Sequence, residues 1–165
     1  MKKFLVLFLS LLLIIAPVST VQAVDNNISR SDFIKIVNDT FHVYTVLGTE
    51  EMFSDIDLKT EDYFELMAAK ENGYIKGYTD GSVHPGDIIT RAEAALALDN
   101  LIKLPQPVDG PVFEDEQNLP AWALGSIQRV VARGILSADE NGAFNGNKPL
   151  SMVEMDNAVA SIKSL

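Results

Sequence analysis

The chain has 165 residues, with 13 basic against 23 acidic side chains, a formal net charge of −10 and no cysteine. A negative field of this size opposes long-range attraction to nucleic acid or to an anionic membrane, so an anionic ligand has to be held by a few local cations. The lack of cysteine excludes a disulfide framework, a thiolate metal site and the lipid-modified cysteine of a bacterial lipoprotein.

In chain order, Lys2 and Lys3 precede an uncharged apolar run from Phe4 to Ile15, Pro17 breaks it, and Val21-Gln22-Ala23 supplies small residues where a signal peptidase reads. This predicts a signal peptide over residues 1–23 with cleavage after Ala23. The run is about a dozen residues where a spanning helix needs roughly 20, so the mature chain is expected to carry no integral membrane segment. The remaining residues, 24–165, are enough for one domain with a sizeable core, and they carry 11 basic residues against 23 acidic.

The mature region opens on Ile28-Ser29-Arg30-Ser31-Asp32, and the same type of signature returns as Ile89-Thr90-Arg91-Ala92-Glu93 and as Leu150-Ser151-Met152-Val153-Glu154, each time after 61 residues. A fixed interval marks a duplicated unit, with repeat starts near 28, 89 and 150. In each signature a hydroxyl is followed three residues on by a carboxylate, the pattern of a capping box that opens a helix. The first of these helices carries Phe33, Ile34, Ile36, Val37, Phe41 and Tyr44 at helical spacing, with His42 on the same element near its buried side.

A second helix follows with Tyr63, Phe64, Leu66 and Met67, has Lys70 in its last turn and stops at Gly73. The turn Tyr74 to Pro85, with Asp80-Gly81 at its tip, predicts two very short paired strands. After the second capped helix (Ala95, Leu96, Leu98, Leu101, Ile102), Leu104 to Pro111 reads as a stiff connector. A second outer helix carries Trp122, Leu124, Ile127, Val130 and Val131, has Arg133 in its last turn and stops at Gly134. The turn then recurs, with Leu136 for Ile75, Asn141-Gly142 for Asp80-Gly81 and Phe144 for Val83, each displaced by the same 61 residues. The third capped helix carries Val153, Ala158, Val159 and Ile162. The pattern predicts an all-α domain: three capped central helices and two outer ones, linked by hairpin-like turns.

The repeat also acts as an internal control. Capping requires the hydroxyl and the acid, which all three copies have, but not a cation at the first helical position, where copies one and two have Arg30 and Arg91 and copy three has Met152. An arginine there opposes the helix dipole slightly, and its fork beside free helix N–H groups suits a carboxylate or phosphate.

Phe53-Ser54-Asp55, Gly73-Tyr74-Ile75-Lys76-Gly77-Tyr78-Thr79-Asp80-Gly81-Ser82-Val83-His84-Pro85 and Ile89-Thr90-Arg91-Ala92-Glu93 together resemble the S-layer homology motif of Gram-positive and related surface proteins. The second unit resembles it through Phe113-Glu114-Asp115, Trp122, Gly134-Ile135-Leu136 and the helix from Ser151. The resemblance covers almost the whole mature chain as two motifs plus an N-terminal orphan capped helix. It implies a secreted cell-wall-binding module that attaches non-covalently to secondary cell-wall polysaccharide through a pyruvylated sugar, with motifs in a pseudo-threefold arrangement and ligand in the grooves between them. By position it implies ligand-binding roles for Arg91, Arg30, Asp55, Lys76, Gly77, Tyr78, Asp115 and Trp122, with the groove around Arg91 favoured. The chain departs from the pattern at Glu61, where the first motif would have tryptophan, at Met152, and in the turn Ser137 to Gly142, which lacks the Gly-Tyr of the first unit.

No catalytic set is apparent: His42 and His84 have no serine, acid or metal partner at motif spacing, and the Asp139 to Asn147 segment has Phe144 where a calcium loop needs glycine. An enzyme, a cofactor and a resident metal are therefore not expected. The rival expectation is a secreted interaction or self-assembly module with degenerate motifs and no sugar binding, whose incomplete repeat set is completed in a homo-oligomer.

Overall fold

A computed structural model describes residues 27–45, 52–107 and 109–165 of the chain; the expected signal peptide and its cleavage point lie outside the described residues. Five helices form: α1 (Arg30–Phe41), α2 (Tyr63–Glu71), α3 (Arg91–Ile102), α4 (Leu124–Ala132) and α5 (Met152–Lys163), with a single 3-10 turn at Glu116–Asn118. No β-strand occurs among the described residues, and the domain is all-α.

The caps form where the sequence places them. Thr90 and Ser151 each accept from the backbone N–H three residues on, while Glu93 and Glu154 reach back to the cap's own N–H, which completes two capping boxes. Ser29 accepts from the Asp32 N–H, but the shorter Asp32 side chain takes the Ser29 hydroxyl at 2.6 Å instead of closing the reciprocal arm.

The residue before each cap does a second job. The Ile28 N–H donates to the Leu150 carbonyl (3.3 Å), the Leu150 N–H to the Ile89 carbonyl (2.9 Å) and the Ile89 N–H to the Ile28 carbonyl (3.1 Å), a closed cycle of three hydrogen bonds. All three side chains are buried, so residues 61 apart meet at one axis and the three capped helices start around it.

The outer helices pack pairwise, α2 along α1 and α4 along α3. Phe33, Ile34, Val37, Leu66, Leu98, Ile127 and Met155 are buried, and Ala94, Ala95 and Ala97 line the inner faces of α3. Each pair also shares a polar tie at equivalent positions. Asn38 donates to the Glu65 carbonyl and carboxylate and accepts from the buried Tyr74 hydroxyl, while Asp99 accepts from Ser126 and Arg129. The matching position on α5 is Ala160, which is exposed.

Three expectations are corrected. Helix α1 ends at Phe41, His42 is its exposed left-handed C-cap with φ 54, and Tyr44 lies beyond it, 70 % exposed, because the chain turns away before either side chain can reach the core. Trp122 precedes α4, and Arg133 is that helix's C-cap, so the last-turn cation is Arg129. The paired strands do not form: single bonds from the Tyr78 N–H to the Ser82 carbonyl (2.8 Å) and from the Asp139 N–H to the Ala143 carbonyl (2.9 Å) close the turns. The extended backbone after each turn pairs with the neighbouring unit instead, as the isolated bridges Ser29 to Ile88 and Thr90 to Pro149.

Candidate functional site

Each turn is clamped to its unit by one aspartate. Asp55 accepts from the N–H groups of Val83 (2.9 Å) and His84 (2.7 Å), and Asp115 accepts from those of Phe144 and Asn145, both at 2.8 Å. Two N–H donors on one carboxylate fix the turn, and with it the carbonyls of Val83 and Phe144. Gly77 sits inside the first turn with φ +76, and a Cβ there would come within 2.5 Å of the Ser82 carbonyl and 2.8 Å of the Phe53 ring, so no larger residue fits.

The fixed carbonyls receive the two arginines. Arg30 donates from Nε to Val83 O at 2.8 Å and pairs through Nη1 with Glu93 at 3.1 Å. Arg91 donates from Nε to Phe144 O at 2.9 Å and from Nη2 to Ser137 O at 2.6 Å, and pairs through Nη1 with Glu154. The two residues are 6 % and 7 % exposed. Each thus ties one helix start to the following turn and to the cap carboxylate of the next helix. The helix N–H groups expected to be free are also used: Arg30 and Ser31 donate to the Asp87 and Pro85 carbonyls, and Arg91 and Ala92 to those of Lys148 and Gly146.

The two sectors differ above the arginine. In the first, the Tyr78 ring lies 4.9 Å from the Arg30 guanidinium, its hydroxyl donates to Glu93 at 2.7 Å, and its edge meets His84. Burial and the bond to Glu93 push the Tyr78 hydroxyl up to about 12. Burial works against ionisation of Glu93, but the Thr90 N–H, the Tyr78 hydroxyl and Arg30 outweigh it and hold the carboxyl below its usual range.

In the second sector Asp139 stands where Tyr78 does in the first. Its carboxylate is turned into its own loop, accepting from the N–H groups of Asn141 and Ala143 and from the Asn145 amide. Those donors hold it below the usual carboxylate range. Beside it a cavity of about 670 Å³ opens between the turn and α5, lined by Arg91, Ser137, Asp139, Asn145, Lys148, Glu154 and Asn157 among others, with Asn27 at its edge. Burial lowers the Arg91 pKa, against the fields of Asp139 and Asp115.

The structure therefore brings together Arg30, Tyr78, Gly77 and Asp55 in one sector, and Arg91 and Asp115 in the other. Lys76 is exposed and lines a second hollow of about 500 Å³ with Lys103, Asp99 and Arg129, at the C-terminal end of α3. Trp122 is 58 % exposed and lines neither cavity. Sequence reasoning passed over Ser137, Asn145, Lys148 and Asn157; the one signal for them is that Lys148 breaks the repeat register, since its counterpart 61 residues earlier is Asp87. Among the described residues no group of three His, Cys, Asp or Glu side chains converges to hold a metal ion, and no helix is long and apolar enough to cross a membrane.

The same units are visible by comparison. The chain is 32 % identical over 127 residues to a cellulosome-anchoring protein of Acetivibrio thermocellus, covering 72 % of this chain and 27 % of that protein. It is 35 % identical over 114 residues to the S-layer protein sap of Bacillus anthracis, covering 68 % and 14 %, and 29 % identical over 108 residues to an endoglucanase of a Bacillus species, covering 59 % and 11 %. The chain spans less than a third of the length of these curated relatives. The model of the S-layer homology domain matches residues 53–95 and 112–151, each match running from the phenylalanine-and-aspartate start of a unit through its turn to the next capped helix. With both motifs matched and the turn-to-cap architecture common to them, the chain belongs to the S-layer homology domain family.

Proposed function

We propose that this chain is a cell-surface module, secreted by its N-terminal leader, that attaches non-covalently to a secondary cell-wall polysaccharide and takes a pyruvylated sugar in the groove beside Arg91. The observation that carries the reading is the open cavity between the second turn and α5, walled by a rigidly held arginine and lined by amide and hydroxyl side chains suited to sugar hydroxyls. Family membership and the likeness to a cellulosome-anchoring protein support the attachment role. Asp115 shapes this groove through its turn, while Arg30, Asp55, Gly77 and Tyr78 form the corresponding sector of the first motif. Lys76 and the exposed Trp122 are further contact points along a polymer longer than one sugar, the indole offering a face to a sugar ring.

The test is co-sedimentation of the chain with purified wall sacculi, native and stripped of pyruvate. The chain is expected to pellet with native sacculi and to remain in the supernatant with the stripped ones. Equal retention on both removes the sugar acid from the reading, and no retention on either removes wall attachment.

A further inference from the structure

Every ionised side chain lining the Arg91 cavity, save one, is already committed inside the protein. Arg91 spends Nε, Nη1 and Nη2 on Phe144 O, Glu154 and Ser137 O. Glu154 takes the Ser151 N–H and hydroxyl on Oε2 and Arg91 on Oε1, and Asp139 is filled by its own loop. The remaining charge is Lys148, exposed at the cavity rim, whose ammonium makes no hydrogen bond or ion pair among the described residues.

The backbone of Lys148 is nevertheless fixed: its carbonyl accepts from the Arg91 N–H at 2.9 Å and its N–H donates to Asn145 O at 3.0 Å. In the first sector the same two bonds are made by Asp87, to Arg30 at 2.8 Å and from His84 at 3.2 Å. One backbone frame thus carries opposite charges in the two sectors. A buried arginine neutralised by its own glutamate offers little to an incoming acid, whereas a solvated ammonium on an anchored stem has three free donors.

Resting on the wall-attachment reading, we infer that Lys148, rather than Arg91, is the group that meets the carboxylate of the bound sugar acid, and that Arg91 builds the wall against which the sugar lies. The amides of Asn145 and Asn157 at the same cavity fit the neighbouring hydroxyls.

The experiment measures binding of the full chain and of Lys148→Gln and Lys148→Arg to purified wall polymer, native and depyruvylated, by titration calorimetry. Loss of a charge-assisted contact is expected to weaken binding of native polymer by Lys148→Gln about tenfold or more, while Lys148→Arg stays within a few-fold of the parent. Neither variant is expected to shift the urea midpoint, since the ammonium has no internal partner. A parent that prefers native polymer, with a Lys148→Gln variant that binds it equally well, overturns this inference and leaves wall attachment standing. A parent that binds neither polymer overturns both.

Discussion

At the residue scale, Arg30 and Arg91 show how a residue kept against a local penalty can be explained by a distant partner. Each forfeits a little dipole energy at its helix start and recovers it by joining a turn carbonyl 53 residues away to the cap carboxylate of the next helix. The special status of both positions was legible, because Met152 in the third copy separates them from the capping requirement. Their partners were not: Glu93 and Glu154 read as capping residues, and nothing in their spacing announces that the oxygen not used for the cap would meet an arginine of the preceding unit. Truncating Arg91 strands Glu154, whose side chain is 33 % exposed, and leaves two turn carbonyls without donors. Arg91→Ala is therefore expected to lower unfolding free energy by about 2–3 kcal/mol, read as a lower urea midpoint at unchanged slope; an unchanged midpoint would show that the guanidinium is dispensable to the fold.

At the element scale, the capped starts of α1, α3 and α5 and the glycines that end α2 and α4 follow from residues within one turn of each other, which is why periodicity and cap chemistry located them. Boundaries failed where continuation depended on the core: His42, Tyr44 and Trp122 have the right spacing to extend a helix but no buried surface to face. The unfinished box of α1 gives a direct check on cap energetics. Lengthening the acid by one methylene in Asp32→Glu allows it to reach the Ser29 N–H, as Glu93 and Glu154 do for their caps, and is expected to raise stability by about 0.5 kcal/mol. A lower melting temperature in that variant would mean that the short hydroxyl-to-carboxylate bond of Ser29 and Asp32 is worth more than a complete box.

At the scale of the whole molecule, three chain segments 61 residues apart close a ring of backbone hydrogen bonds at Ile28, Ile89 and Leu150, so the ring opens only when the units separate. The amides of Ile89 and Leu150 are accordingly expected to exchange with solvent only by global unfolding, with protection equal to the denaturant-derived stability when followed by NMR; faster exchange at these two sites than in α3 would show that the ring frays by itself. The outer face of α5 differs from its counterparts. Where α1 and α3 present Ile34, Val37 and Asn38, and Ala95, Leu98 and Asp99, to an outer helix, α5 presents Asp156, Val159 and Ala160, with Asp156 and Ala160 exposed. The sequence by itself determined the repeat, the helices and their caps, the tight turns and the family, because each is encoded by residues close along the chain or by a fixed interval. Only the tertiary structure decided that the arginines are spent internally, that Tyr78 covers one sector while Asp139 leaves the other open, and that Lys148 is left with a free charge. Those outcomes depend on which side chains from separate units converge once the ring closes, and spacing along a chain carries no record of that convergence.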